Sequence, residues 1–422
     1  LSTFPLKIMI GSHSQLVPIS RRQFGAVVAA LGYHYAFGAW YTIHRDGEVP
    51  TYERVIQKAL GIRKAEAAKA ARFNWRFGVG YQTKKINQVV RYGVWEFAQD
   101  LEQRTDGEIK IQLLGANTIC TELDCVQKAL GGVLELYSSS SQNAAASIPY
   151  HNVLDYAFLF PSRASMHYFL YHPKSNKLFR DVVRERYGLI WLFSLCETRN
   201  IYLSLKYKNS PRIARPEQLR GAKIRVTGSQ MGRIALTLFG TNPIPYAWEE
   251  TLEGLKSGAL DGAETWSSAA AAVGMGKVLS YDIFVEFFSG FGHHAIRRDV
   301  FEKLPPSLQE AVMESAYFGQ QWTQRNHEKA LIEVTGIEGP PRRGSIWHKE
   351  GVKVVRLTPN EKQIWIEIAS PQHNPRPWDE WRDKLTKIAA FDAYPELYKL
   401  AREIPAEMPA TEVKPRRWWK EA

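Results

Sequence analysis

The sequence predicts an α/β protein of two layered domains with helical additions, and three observations carry that expectation. Residues 73–113 read strand, helix, strand; a second strand-and-helix system opens near Trp191 and runs past Phe288; helices with strong start signals follow. The chain has 422 residues, 45% of them apolar and 23% charged, which excludes a largely disordered or fibrous chain and sets a prior of about one to three domains.

The elements follow in order. Residues 20–32 place the pair Arg21-Arg22 before a short, weakly hydrophobic run, which resembles a twin-arginine export signal. The run is far shorter than the roughly 18 apolar residues of a membrane span. Residues 1–40 are therefore set aside as an export-signal region, and the mixed Lys-, Arg- and Ala-rich stretch 41–72 as an extension without an assigned role. The mature part is expected in a periplasm.

Phe73, Trp75 and Phe77 alternate with polar or small residues as a strand does. Ile86, Val90, Val94, Phe97 and Leu101 form one apolar stripe, predicting a single helix of roughly 20 residues. Ile109, Ile111 and Leu113 give the next strand, parallel to the first. A shorter helix is predicted over about Thr121–Leu130, a strand over Val133–Tyr137, then a polar loop over residues 138–143. Later come a strand at Lys223–Val226, helices at Met231–Leu238 and Trp248–Leu255, and a crossover strand at Val285–Phe288. Ser307 with Glu310 predicts a capping box for a helix through Trp322, and Thr358-Pro359 with Glu361 a second one. Gly339–Gly344 reads as a linker or turn.

Most catalytic and cofactor chemistry is missing. Gly78-Val79-Gly80 lacks the third glycine of a dinucleotide loop, since position 83 is Thr83, and no Walker, G-x-S-x-G or H-E-x-x-H sequence occurs. The three cysteines have no zinc spacing; Cys120 and Cys125 are close enough to pair, with two isolated thiols the open alternative. His293 and His294 read as a packed or solvated pair. No cofactor and no metal is expected. The net charge of +12 comes from scattered Lys and Arg, so nucleic acid is not expected either. The tightest basic cluster, Lys414, Arg416, Arg417 and Lys420 around Trp418 and Trp419, reads as a solvated tail.

An anion site is the economical chemical reading. Arg225 stands in a strand just before the turn Thr227-Gly228-Ser229, and its planar fork suits a carboxylate better than any lysine. Arg199, between Thr198 and Asn200, is a second candidate donor. Ser139, Ser140, Gln142 and Asn143 follow a strand, where α/β sheets place ligands.

Leu219-Arg220-Gly221-Ala222-Lys223-Ile224-Arg225-Val226-Thr227-Gly228, then Gly240–Pro245, Glu250 and Leu260-Asp261-Gly262-Ala263-Glu264, resemble the substrate-binding proteins of tripartite ATP-independent periplasmic (TRAP) transporters, the DctP-like solute receptors. The resemblance runs from about Phe73 to about Ala390. It implies a two-lobed periplasmic binding protein with crossing strands and a hinge helix. Lobe I would be 73–198 with 286–330, lobe II 199–285 with 331–400, and 401–422 the basic tail. It also implies capture of an organic acid, delivery to small and large TRAP membrane subunits by transient association, and no catalysis. Arg225 matches the family's carboxylate-binding arginine, Arg199 a second ligand arginine, and Gln82 a polar contact beside the first strand. Thr265-Trp266 replaces the family's frequent Asn, and Tyr246, Trp248 and Trp266 would supply apolar walls. Asp261 and Glu264 read as determinants of the fold. An enzyme acting on a small carboxylate, and a sensory or scaffolding receptor, are the alternatives.

Overall fold

The computed structural model describes residues 6–10, 15–19, 71–336 and 343–420. They divide into two units, Leu1–Lys69 and Ala70–Ala422. The described part of the first is an antiparallel hairpin of β1 (Leu6–Ile10) and β2 (Gln15–Ile19). Arg21-Arg22, residues 41–70 of the extension and 339–342 of the predicted linker lie outside the described residues.

In the second unit, β3 (Phe73–Gly78) buries Trp75 and Phe77 and pairs in parallel with β4 (Ile109–Leu114), as the strand-helix-strand reading requires. The connection is two helices instead of one, α1 (Lys84–Val90) and α2 (Val94–Arg104). The apolar stripe is continuous, but Arg91 (φ 63°) and Gly93 (φ 77°) leave the helical region and Asn87 Oδ1 accepts the Tyr92 N–H at 2.9 Å. A side chain at Gly93 would also strike Thr323.

The next helix and strand both start later than predicted. Gly131 and Gly132 end α3 (Cys125–Leu130), so β5 occupies Leu136–Ser140 and pairs with β3. Ser138, Ser139 and Ser140 are thus strand, not loop. Ser141–Ala144 is a short helix, α4, whose cap Ser140 Oγ accepts the Asn143 N–H at 3.0 Å. Cys120 and Cys125 form a disulfide with Cα atoms 4.9 Å apart, and Cys196 is buried and free.

Two long antiparallel strands carry the rest. β6 (Leu189–Ser204) and β10 (Leu279–Arg297) run through the sheet, whose order is β4-β3-β5-β10-β6-β9-β7-β8. β7 (Lys223–Val226) lies parallel to both β8 (Asn242–Pro245) and β9 (Gly262–Thr265). β5 pairs with β10 over Gly292–Ile296, whereas β11 (Lys353–Arg356) pairs with it over Tyr281–Phe284. Each long strand therefore serves two halves of the sheet. The β6–β10 register breaks between Ile283 and Phe288, where Glu286 takes φ 51° and donates its N–H to Asn200 Oδ1 at 3.1 Å.

Helices complete the frame. α5 (Gln230–Leu238) is capped by Ser229, and α6 (Thr251–Ser257) starts after Trp248 rather than at it. α7 (Pro306–Thr335) is the hinge helix: Val312 and Ala316 pack with Phe97 and Phe193 on one half, and Leu331 meets Phe284 on the other. The predicted Ser307–Glu310 box does not form, because Pro305 caps the helix and Pro306 already stands inside it. The Thr358–Glu361 box does form, at the start of α8 (Pro359–Ala369). The tail is docked, not solvated: Trp418 is buried against Tyr171 and Tyr317, Arg417 pairs with Glu314 at 2.7 Å, and Lys420 with Glu310 at 2.6 Å. Among the described residues no helix is long and apolar enough to cross a membrane.

His293 and His294 are packed in the core. His293 stacks on Trp191 with centroids 4.3 Å apart, meets His151 edge-on and shares a 2.9 Å hydrogen bond with the Tyr137 hydroxyl. Burial holds His151, His167 and His294 down to about 3, so each stays neutral while its unfolded counterpart protonates near 6.5. Their stabilisation is complete above pH 6.5 and is lost as pH falls toward 3, at about 1.4 kcal/mol per pH unit for each unmatched proton. Glu122, Asp155 and Asp282 act oppositely. Burial lifts each to about 7, so the folded state takes up their protons first and gains stability as pH falls from 7 toward 4. Burial also holds His293 well below its usual range, so four histidines stand against three acids and the offset over pH 4–6.5 is only partial. Acid unfolding followed by circular dichroism is therefore expected to show a shallow loss of stability from pH 6.5 to 4 and a steep transition below it; a midpoint near pH 6 would contradict this balance.

Candidate functional site

The site forms where β5, β6, β7 and β9 end or cross. Arg225, the third residue of β7, is buried; its Nε donates to the Tyr246 carbonyl at 3.0 Å and its Nη1 to the Glu264 carbonyl at 3.5 Å. Its Nη2 makes no hydrogen bond among the described residues. Arg199, at the register break of β6, donates Nε to Glu264 Oε2 at 2.5 Å and Nη2 to the Glu264 carbonyl at 3.2 Å, which leaves Nη1 uncommitted.

Glu264 is the acid between them. Its Oε1 accepts the Thr227 N–H at 2.9 Å and lies 3.7 Å from Arg225 Nη1. Two guanidiniums thus face one carboxylate, and the cluster keeps one positive charge beyond what Glu264 neutralises. Burial draws the Arg225 guanidinium down to about 10, partly opposed by the Glu264 carboxylate, so it remains a cation at neutral pH. Trp248 lies under Arg225 and Trp266 beside Arg199, each ring centre 5.5 Å from the guanidinium carbon. Trp266 can lie there because residue 290 is glycine; a Cβ would fall 1.8 Å from its Nε1.

Of the residues singled out from the sequence, Ser140, Asn143, Thr265, Trp248 and Trp266 line the cleft with the two arginines. Four expected contacts stand behind the wall because packing consumes them. Gln82 Nε2 donates to Ser138 Oγ at 2.8 Å, Ser139 Oγ to the Glu122 carbonyl at 2.9 Å, and Gln142 Nε2 to Asp155 Oδ1 at 2.6 Å and to the Ser289 carbonyl at 2.7 Å. Tyr246 offers Arg225 its carbonyl while its ring packs near Gly254. Asp261 is a fold determinant: it pairs with Lys206 at 2.8 Å and accepts the Lys223 N–H at 2.9 Å.

The reading missed Tyr81, Glu122 and Thr227. Tyr81 is one residue from the expected Gln82, and Thr227 sits in the turn already noted; Glu122 has no motif around it. Contacts between the two halves hold the cleft closed. Tyr81 meets Trp248 with centroids 5.7 Å apart, the Glu122 N–H donates to Glu249 Oε1 at 3.2 Å, and the Gln230 N–H to Asn152 Oδ1 at 3.0 Å. About 20 Å³ remains for water centres, room for little more than one water. Any larger occupant requires the halves to part.

Two α/β halves joined by crossing strands, a long hinge helix and a cationic cleft between them define a two-lobed solute receptor. The chain belongs to the family described as bacterial extracellular solute-binding protein, family 7, whose profile matches residues 81–376. It is 29% identical over 258 residues to the 2,3-diketo-L-gulonate-binding periplasmic protein YiaO of Escherichia coli, covering 59% of this chain and 72% of that one. It is 19% identical over 281 residues to the C4-dicarboxylate-binding protein DctB of Bacillus subtilis, covering 65% and 75%. Among solved structures, a TRAP periplasmic solute-binding protein from Roseobacter denitrificans with bound β-D-glucuronate superposes with a TM-score of 0.64 at 20% identity, covering 79% of this chain and all of that one. The family is extracytoplasmic and works with TRAP membrane permeases.

Proposed function

We propose that this protein captures an organic acid by its carboxylate, closes over it and delivers it to the small and large membrane subunits of a TRAP transporter. The observation that carries the proposal is the pair of buried guanidiniums whose Nη2 (Arg225) and Nη1 (Arg199) are uncommitted at the cleft. A carboxylate there would complete the charge-assisted hydrogen bonds of one half, and the rest of the ligand would face the opposite half at Tyr81, Glu122, Ser140 and Asn143. The lobes are taken to meet at 198/199 and 285/286, close to where β6 and β10 lose register. Arg21-Arg22 is taken to route the chain through the twin-arginine pathway.

The role is binding without turnover, in keeping with a family of solute-binding proteins. Only a ligand with higher affinity for the closed state shifts the population toward it. Calorimetric titration with a panel of carboxylates, paired with small-angle scattering, tests this: binding should reduce the radius of gyration and leave the acid chemically unchanged. Tight carboxylate binding with no compaction, or steady product formation, would refute the mechanism.

A further inference from the structure

The wall facing the arginines is built for a different group. Glu122 Oε2 accepts the Ser140 N–H at 3.1 Å and Asn143 Nδ2 at 3.4 Å, while its Oε1 makes no hydrogen bond among the described residues. Asn143 Oδ1 is buried and also without a partner. Both residues line the cleft. Two acceptors therefore wait for donors, and a buried acceptor left unmatched costs about 1–3 kcal/mol.

Charge sharpens the point. The arginine cluster keeps one positive charge, enough for one carboxylate, and no ion pair joins Glu122 to either guanidinium among the described residues. A second acid stands at the same place, since Glu249 Oε1 accepts the Glu122 N–H at 3.2 Å. A ligand carboxylate pushed against this wall would meet two open acceptors, with only the Ser140 hydroxyl or a proton taken up by Glu122 to answer it. A hydroxyl would donate to Glu122 Oε1 or Asn143 Oδ1. The Cys120–Cys125 disulfide brackets the loop that carries Glu122 and limits its escape.

We propose that Glu122 is the specificity-determining residue of the cleft, selecting hydroxyl-bearing organic monoanions and rejecting dicarboxylates. The assignment rests on the carboxylate capture proposed above. Burial lifts the Glu122 carboxyl to about 7, so it repels a further anion fully only above that pH, and the discrimination against dianions should grow as pH rises from 7 to 8.

Two matched pairs test it, each differing in whether the far end is a carboxylate: galactonate against galactarate, and 3-hydroxybutanoate against malate. The wild type should bind the monoanion of at least one pair, and bind it at least about tenfold more tightly than its dianion. Glu122→Gln, with an unchanged melting temperature as the check on folding, should narrow that ratio to within about threefold by weakening the monoanion, strengthening the dianion, or both. A wild type that takes either dianion as tightly as its partner, that binds none of the four, or whose ratio Glu122→Gln leaves unmoved overturns the assignment. Arg225-dependent binding of a dicarboxylate would leave carboxylate capture standing, whereas failure of every carboxylate would remove both.

Discussion

Arg225→Ala is expected to weaken binding of the organic acid by about 2–5 kcal/mol, a loss of roughly 30- to several-thousand-fold, with the protein still folded. The size follows from burial: the guanidinium is 1% exposed, and a ligand carboxylate deprived of it would sit desolvated in a closed cleft. Folding should survive because Glu264 keeps Arg199 at 2.5 Å and the Thr227 N–H at 2.9 Å. Arg225→Lys should recover only part of the affinity, since an ammonium restores the charge but not the planar fork that holds the Tyr246 carbonyl through Nε. Calorimetry on the three proteins, with thermal melts alongside, separates these outcomes. Retention of wild-type affinity by Arg225→Ala would show that the carboxylate docks elsewhere.

Glu264→Gln reverses the emphasis and acts on the fold. The substitution keeps the volume but leaves two buried guanidiniums, which already repel each other, without their shared counter-charge. Removing one partner from a buried ion pair typically costs about 3–5 kcal/mol. Urea unfolding should show that loss as a lower midpoint with an unchanged slope. A bound carboxylate would resupply the missing negative charge, so ligand should raise the melting temperature of this variant more than that of the wild type. A variant within about 1 kcal/mol of wild type would mean that the arginines are stabilised by other groups.

Much of the architecture was readable along the chain because it rests on local periodicity. The strands at Phe73–Gly78, Ile109–Leu114 and Lys223–Val226 announce themselves by alternation, α5 by the turn before it and α8 by its cap. The α1–α2 break did not, since it depends on Gly93 approaching Thr323 on a helix more than 200 positions away. The tail was misread for the same reason: a basic cluster with two tryptophans looks like a solvated end until Tyr171 and Glu314 come to meet it.

Arg225 was identifiable because its strand, its turn and a spaced family pattern coincide at one place. Gln82 and Gln142 carry the same polar chemistry as true cleft residues, yet Ser138 and Asp155 claim them. By itself the sequence determined the α/β class, the strand Lys223–Val226 and the arginine it carries, because those depend on residue type and short-range spacing. The tertiary structure alone decided that Glu264 lies between two guanidiniums, that Glu122 faces them, and which polar groups remain unspent. Hydrogen-bond capacity is finite, and which partner consumes it depends on contacts between segments far apart in the chain.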